Sequence, residues 1–175
     1  NGIILLAGKS GSGKSSVVEY LYKKYGLREV LSYTTRPKRS KNDNTHIFVT
    51  DEEFDRIPEA DMVAYTEFAG YRYCATKNQV ENADIYVIDP DGILEFLKRY
   101  HSNKDIFSIY LNVSKRERMR RMLNRGDSVE MAEKRILNDD KKFLSIHQCP
   151  HATIYSDDLS LEETAEKVYN AYQSM

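Results

Sequence analysis

Gly8-Lys9-Ser10-Gly11-Ser12-Gly13-Lys14-Ser15 follows a short apolar run, Ile3 to Ala7, and leads into a stretch of helical periodicity. The octet matches G-x-x-x-x-G-K-[ST] in full, in the strand–loop–helix context that gives the motif its meaning. Its glycines let the backbone wrap around phosphate groups with the N–H groups pointing inward, and the helix that follows adds the positive end of its dipole. In such a loop the lysine, here Lys14, reaches the β- and γ-phosphates, and the hydroxyl of Ser15 faces Mg²⁺. Gly8, Ser10, Gly11, Ser12, Gly13, Lys14, Ser15 and Ser16 are therefore the candidate donor-nucleotide residues, with ATP and Mg²⁺ as the expected ligands.

Outward from the loop, short apolar runs alternate with helical patterns, the signature of a parallel α/β sheet. Ile3–Ala7 reads as the first central strand. Ser15–Tyr25 reads as a helix with Val17, Val18, Leu21 and Tyr22 on one face. Further strands are expected at Val30–Tyr33, Ile47–Thr50, Ile85–Ile88, Ile106–Leu111 and Ala152–Tyr155. Met62–Phe68 and Tyr71–Cys74 flank Ala69-Gly70 and predict a hairpin. Helices are expected from Pro90 to about Tyr100, over Ser114–Asn124 and Ser128–Phe143 with a break at Gly126, and over Ser160–Tyr172. The fold class that follows is a P-loop α/β domain with a parallel five-stranded sheet flanked by helices. One domain is expected: a core over about 1–35, 78–113 and 144–175, a β-rich acceptor lobe over about 36–77, and a basic, arginine-bearing lid over about 114–143.

Composition limits the remaining possibilities. The 175 residues are 41% hydrophobic and 30% charged, with a net charge of −1. So even a balance gives no global field for nucleic acid or an anionic membrane, and an anion site has to be built locally. No apolar run approaches a membrane span. Ile3–Ala7 is short, lacks a basic flank and runs into the glycine loop, which fits a buried strand and not a signal peptide. The chain opens at Asn1, almost on that strand, so a start methionine is expected to precede it. The two cysteines, Cys74 and Cys149, form no Cys-x-x-Cys pair and read as reduced thiols, pointing to a cytoplasmic protein. A monomer or weak dimer is expected.

Two further stretches carry chemistry. A P-loop needs a carboxylate at the end of a neighbouring strand; Asp89, after Ile85-Tyr86-Val87-Ile88, is the candidate, with Asp91 two residues on. A carboxylate there could equally cap the following helix. Ser32-Tyr33-Thr34-Thr35-Arg36-Pro37-Lys38-Arg39 sets two guanidiniums three residues apart, and guanidinium forks match phosphate oxygens bidentately. Alone, the stretch reads as a solvated basic loop; beside a P-loop, Arg36 and Arg39 become a clamp for an acceptor phosphate.

Ser32-x-Thr34-Thr35-Arg36-x-x-Arg39 resembles the acceptor-phosphate motif of the guanylate kinase family, and the rest follows in register. His46-Ile47-Phe48-Val49 and Glu53-Phe54 are similar to the family's Tyr-x-Phe-Val and Glu-Phe. Phe68-Ala69-Gly70-Tyr71-Arg72-Tyr73 resembles Phe-x-Gly-x-x-Tyr, and Asp89-Pro90-Asp91 resembles Asp-x-Asp. Asn124-Arg125-Gly126 is similar to the lid, and Lys134-Arg135 to the basic pair of the next helix. The resemblance covers nearly the whole chain. It implies ATP-dependent phosphoryl transfer to a nucleoside monophosphate, GMP or dGMP. Arg36, Arg39 and Tyr73 would bind the acceptor phosphate, with His46 in the place of a phosphate-binding tyrosine. Ser32 and Asp91 would face the base. Asp89 would serve acceptor and Mg²⁺, and Arg121, Arg125 and Arg135 would close over the transferring group. Arg116, Arg118 and Arg120 read as a solvated helix face.

The departures from the family fall in one place. Alignment on Phe68-x-Gly70 puts Ala64 at the guanine-reading glutamate and Ala75 at the guanine-reading serine, and Leu94 stands where Asp-x-Asp-x-x-Gly ends. Glu67 lies near, but strand alternation puts it on the opposite face. Ribose bisphosphate phosphokinases resemble the chain in a histidine near position 46 and in lacking the glutamate, so such an acceptor is one alternative. A catalytically inactive protein-binding module of the same fold is another, against which the complete Gly13-Lys14-Ser15 argues.

Overall fold

The computed structural model describes residues 1–175. Seven residues of unbroken burial make β1 (Gly2–Gly8), the centre of a sheet in which every pairing is parallel. Its neighbours are β6 (Ile85–Val87) on one side and β7 (Asp105–Asn112) on the other, with β8 (Ala152–Tyr155) beyond β7, giving the order β6-β1-β7-β8. Strands buried on both faces need apolar residues at every position, which is why β1 shows no alternation. Ile3, Leu5 and Ala7 join one core cluster and Ile4 and Leu6 the other. Truncating a fully buried leucine here, such as Leu5, to alanine costs about 2–5 kcal/mol.

The parallel sheet has four strands and not the expected five. Residues 28–30 do run along the free edge of β6: Val30 N donates to Ile85 O at 2.9 Å, and Ile85 N to Arg28 O at 3.1 Å. The pairing stops at a single bridge, Glu29 to Ile85. Beyond Val30 the Leu31 carbonyl accepts from the Gln79 amide instead, and the chain leaves the edge for a second sheet. That sheet is mixed, in the order β3-β2-β5-β4, from β2 (Tyr33–Thr34), β3 (Ile47–Phe48), β4 (Met62–Phe68) and β5 (Tyr71–Thr76). Its β4–β5 hairpin turns on Ala69 and Gly70, both at positive φ.

Helices α1 (Lys14–Tyr25) and α7 (Leu161–Gln173) cover one face of the parallel sheet through Val17, Val18, Leu21, Ala165 and Val168. Tyr22 does not share that face; it is 62% exposed. On the other face α4 (Pro90–Arg99) packs Ile93 and Phe96 into a core that also takes Val63 and Ala75 from the second sheet. The short helices α2 (Asp51–Asp55) and α3 (Lys77–Glu81) each begin with a complete capping box. Helices α5 (Lys115–Asn124) and α6 (Val129–Lys142) meet over their own small core of Met122, Ala132 and Ile136. No helix is long and apolar enough to cross a membrane. Cys74 and Cys149 are both free and buried, and burial pushes the Cys74 thiol up to about 11.

Candidate functional site

At the carboxyl end of β1 the chain has to turn sharply and present its amides. Gly11 and Gly13 make this possible at φ values of 79° and 92°, where other residues are strained. A Cβ on Gly11 would also lie 2.7 Å from the carbonyl oxygen of Arg118, so the start of α5 rests on the loop backbone. The result is a wholly polar cradle of about 460 Å³, lined by Ser10 to Ser16 together with Arg121, Arg125 and Arg135. The lid arginines of the sequence reading thus meet the glycine loop. Each is already held by a carboxylate: Arg121 by Glu117 at 3.1 Å, and Arg125 and Arg135 by Asp127 at 3.1 and 3.7 Å. Desolvation keeps the Lys14 ammonium below its ordinary value, opposed by the charges of Asp89 and Asp139.

A second hollow of about 270 Å³ continues the cradle past Ser12, Gly13, Ser16 and Arg121 to Ser156, Leu159, Leu161 and Thr164. The hydroxyls of Ser12 and Ser156 are buried there without a hydrogen-bond partner, and buried polar groups are ordinarily paired.

The larger cleft, about 520 Å³, opens beside the cradle between the two sheets and α4. Ser32, His46, Tyr73, Asp89 and Asp91 of the expected acceptor set line it, along with Ala64, Tyr86, Gly92, Glu95 and Lys142. Arg36 and Arg39 are not on its wall. The Arg36 guanidinium is buried in the loop, 3.2 Å from the Asp43 carboxylate and 3.4 Å from His46 Nδ1, and Arg39 is exposed. Hydrogen bonds from Thr45, the Arg39 amide and Arg36 hold the Asp43 carboxyl far below the usual carboxylate range. Burial, reinforced by Arg36, keeps His46 below its ordinary value. Asp89 starts α4 but makes no capping bond, which leaves its carboxylate free for other work; Lys142 Nζ lies 3.9 Å away. Asp91 accepts from the Ser145 hydroxyl at 2.9 Å.

Ala64 and Ala75 face each other across β4 and β5. Ala64 lines the cleft, whereas Ala75 is 0% exposed inside the core. Glu67 takes the Tyr65 hydroxyl at 2.6 Å and lines a different surface with Asp51 and Arg72, as alternation requires. Leu94 packs against the core.

Glu95, Lys142, Ser156 and Asp139 escape a linear reading. Asp139 Oδ2 accepts from the Ser10 amide at 2.9 Å, tying α6 to the loop. A carboxylate pair near a helix C-terminus, as at Asp139-Asp140, opposes the dipole and was the one local sign of a tertiary partner. Glu95 lies one helical turn beyond Asp91, on the same face.

A family model described as an AAA domain, a P-loop class, matches residues 4–140. Guanylate kinase of Helicobacter pylori is 30% identical, over 99% of this chain and 87% of that protein. Guanylate kinase of a Polaromonas species is 34% identical over 78% and 70%. Among solved structures, guanylate kinase from Anaplasma phagocytophilum superposes with a TM-score of 0.57 at 20% identity, covering 99% of this chain and 85% of that one. An uncharacterized protein from Eubacterium ventriosum superposes at 0.55 and 11% identity, over the full length of both chains. Fold and loop together define a P-loop nucleotide-binding protein of the α/β class. Within that class, the chain belongs to the guanylate kinase family of P-loop kinases.

Proposed function

We propose that the chain transfers the γ-phosphoryl group of Mg²⁺-ATP to a phosphate monoester, with GMP or dGMP the acceptors implied by its family. The observation that carries this is the all-polar cradle around Lys14, continuous with a hollow that holds two orphaned hydroxyls, while Asp89, on the wall of the larger cleft, acts by its charge on Lys14. ATP phosphates would lie on the loop amides and Lys14, its nucleoside along Ser12 and Ser156, and the acceptor in the cleft.

In the reaction an acceptor phosphate oxygen bonds to the γ-phosphorus as the bond to the β–γ bridging oxygen breaks, and ADP leaves. That nucleophile is already an anion at neutral pH, so the protein's task is positioning and neutralising charge, not removing a proton. Lys14, Arg121, Arg125 and Arg135 supply positive charge around the transferring group. His46 and Tyr73 line the cleft where the acceptor phosphate would lie, and Ser32 and Asp91 would reach the rest of the molecule. Arg36, paired with Asp43 beside His46, and the exposed Arg39 would have to turn toward the cleft to join them. Mg²⁺ fits the donor set: the Ser15 hydroxyl and the uncapped Asp89 carboxylate are available, and no group of three His, Cys, Asp or Glu is placed to hold a metal unaided. That is the pattern of an ion carried mainly by phosphates and water. Mg²⁺ would neutralise charge on the β- and γ-oxygens.

A second reading keeps the chemistry and changes the acceptor. Ala64 on the cleft wall offers no carboxylate, and a histidine stands at position 46, the two points of resemblance to ribose bisphosphate phosphokinases. The deciding experiment is ADP release with GMP, dGMP, AMP and ribose bisphosphate as acceptors. Turnover of at least one is expected, with GMP favoured by less than about a thousandfold. A larger preference would overturn the reading of Ala64, and no turnover at all would favour the inactive binding module.

A further inference from the structure

We infer that Glu95 is the specificity-determining carboxylate of this chain: it reads the acceptor's base from the α4 side of the cleft, opposite the strand position that Ala64 leaves bare. The inference rests on the cleft being the acceptor site. Asp89, Asp91 and Glu95 line it along α4, and Glu95 is six residues beyond Asp89. At the helical rise that is about 9 Å along α4 from Asp89, the carboxylate whose charge acts on Lys14, toward the end where a base and not a phosphate would lie.

The other polar groups near that end are committed or hydroxylic. The Tyr65 hydroxyl donates to Glu67, and Tyr86 is buried, with its phenol pushed up to about 12 by desolvation. Ala75 is sealed in the core and Glu67 lies on another surface. Glu95 is partly buried and is engaged through Oε1 by Arg99, 3.0 Å away and one turn on. A carboxylate fixed from behind in this way presents acceptors only, so the ligand edge it suits carries N–H donors side by side. Guanine, with its N1–H and 2-amino group, has such an edge; hypoxanthine has one donor fewer, and adenine offers no ring N–H there.

The test is calorimetric binding of GMP, IMP and AMP to the wild type and to Glu95→Gln, Glu95→Asp and Arg99→Ala. Glu95→Gln is expected to weaken GMP by about tenfold to a hundredfold, IMP less, and AMP not at all. Glu95→Asp keeps the charge and falls between, which guards against a folding defect in the first variant. Arg99→Ala breaks the helix ion pair and should leave the order GMP, IMP, AMP intact. Equal weakening of all three nucleotides, no weakening, or a wild type that binds none of them overturns the inference. Failure of the kinase reading looks different: GMP binding that depends on Glu95 but yields no ADP in turnover. Conversely, ADP release from a sugar phosphate without nucleotide binding sinks Glu95 and keeps the kinase.

Discussion

The cradle around Lys14 takes its lining from one loop and three lid arginines, whereas the cleft beside it draws on both sheets, α4 and the last turn of α6. The first is read largely by backbone amides, and any sequence that keeps the glycines and the lysine keeps it. The second is read by side chains from distant parts of the chain, so single substitutions reshape it without disturbing the fold. Ala64, His46 and Leu94 all belong to the second region or its packing. On the proposed assignment, donor chemistry rests on the less substitutable region and acceptor choice on the more substitutable one.

The comparison is sharpest where one substitution should silence both regions. Lys14→Ala removes the point charge on the transferring phosphate and should lower turnover by about a thousandfold or more with every acceptor, leaving the melting temperature unchanged. Near-normal turnover in that variant would break the assignment of the cradle. On the acceptor side, Arg36→Ala and Arg39→Ala should each cut acceptor kcat/KM by about tenfold to a hundredfold with the ATP dissociation constant unmoved. Arg36→Ala should also lower the melting temperature, because Asp43 loses its ion-pair partner in the loop; Arg39→Ala should not. Equal losses for ATP and acceptor would place these arginines on the wrong side. Ala64→Glu should raise the GMP-to-AMP ratio of kcat/KM by about tenfold, since it restores a carboxylate at a position that lines the cleft. No change in that ratio would mean that base selection is not decided at position 64.

The smallest effect is in pH. Lys14 must be charged to serve the donor, and desolvation lowers its folded pKa. The ammonium is fully present below that lowered value and is lost as pH rises through it. The kcat/KM for ATP, which reports the free enzyme, should thus fall on the alkaline side at a pH below the ordinary lysine value. The acceptor kcat/KM measured at saturating ATP should lack this limb, because bound phosphates hold the proton on Lys14.

What could be read from the chain alone follows the same division. β1, the glycine loop and α1 are local: an apolar run, positive-φ glycines and a helical period decide them without reference to anything else. The spacing of Tyr22 suits the buried face, yet in the fold it stays exposed. Val30, apolar and buried, predicts a fifth strand, yet the edge pairing ends where Gln79 takes the Leu31 carbonyl. β2 and β3 are two residues each, too short to show a period, so the strands expected at Val30–Tyr33 and Ile47–Thr50 match them only in part. Glu95 and Lys142 carry no local signature beyond helix position, and Asp139 only its adverse place against the helix dipole; what matters in each is the partner that folding brings, and that is tertiary.

The shared core of Met122, Ala132 and Ile136, with Glu117 and Asp127 beside it, bears on entropy. A free arginine side chain gives up about 2 kcal/mol of rotamer freedom when it is immobilised. Arg121, Arg125 and Arg135 spring from helices locked to each other and lean on carboxylates before any nucleotide is present, so much of that loss has occurred by the time the chain is folded. An anion bound in the cradle, as proposed, would meet three guanidiniums already paired to Glu117 and Asp127, and substituting any one of them should alter the response to the other two, giving strongly non-additive double mutants.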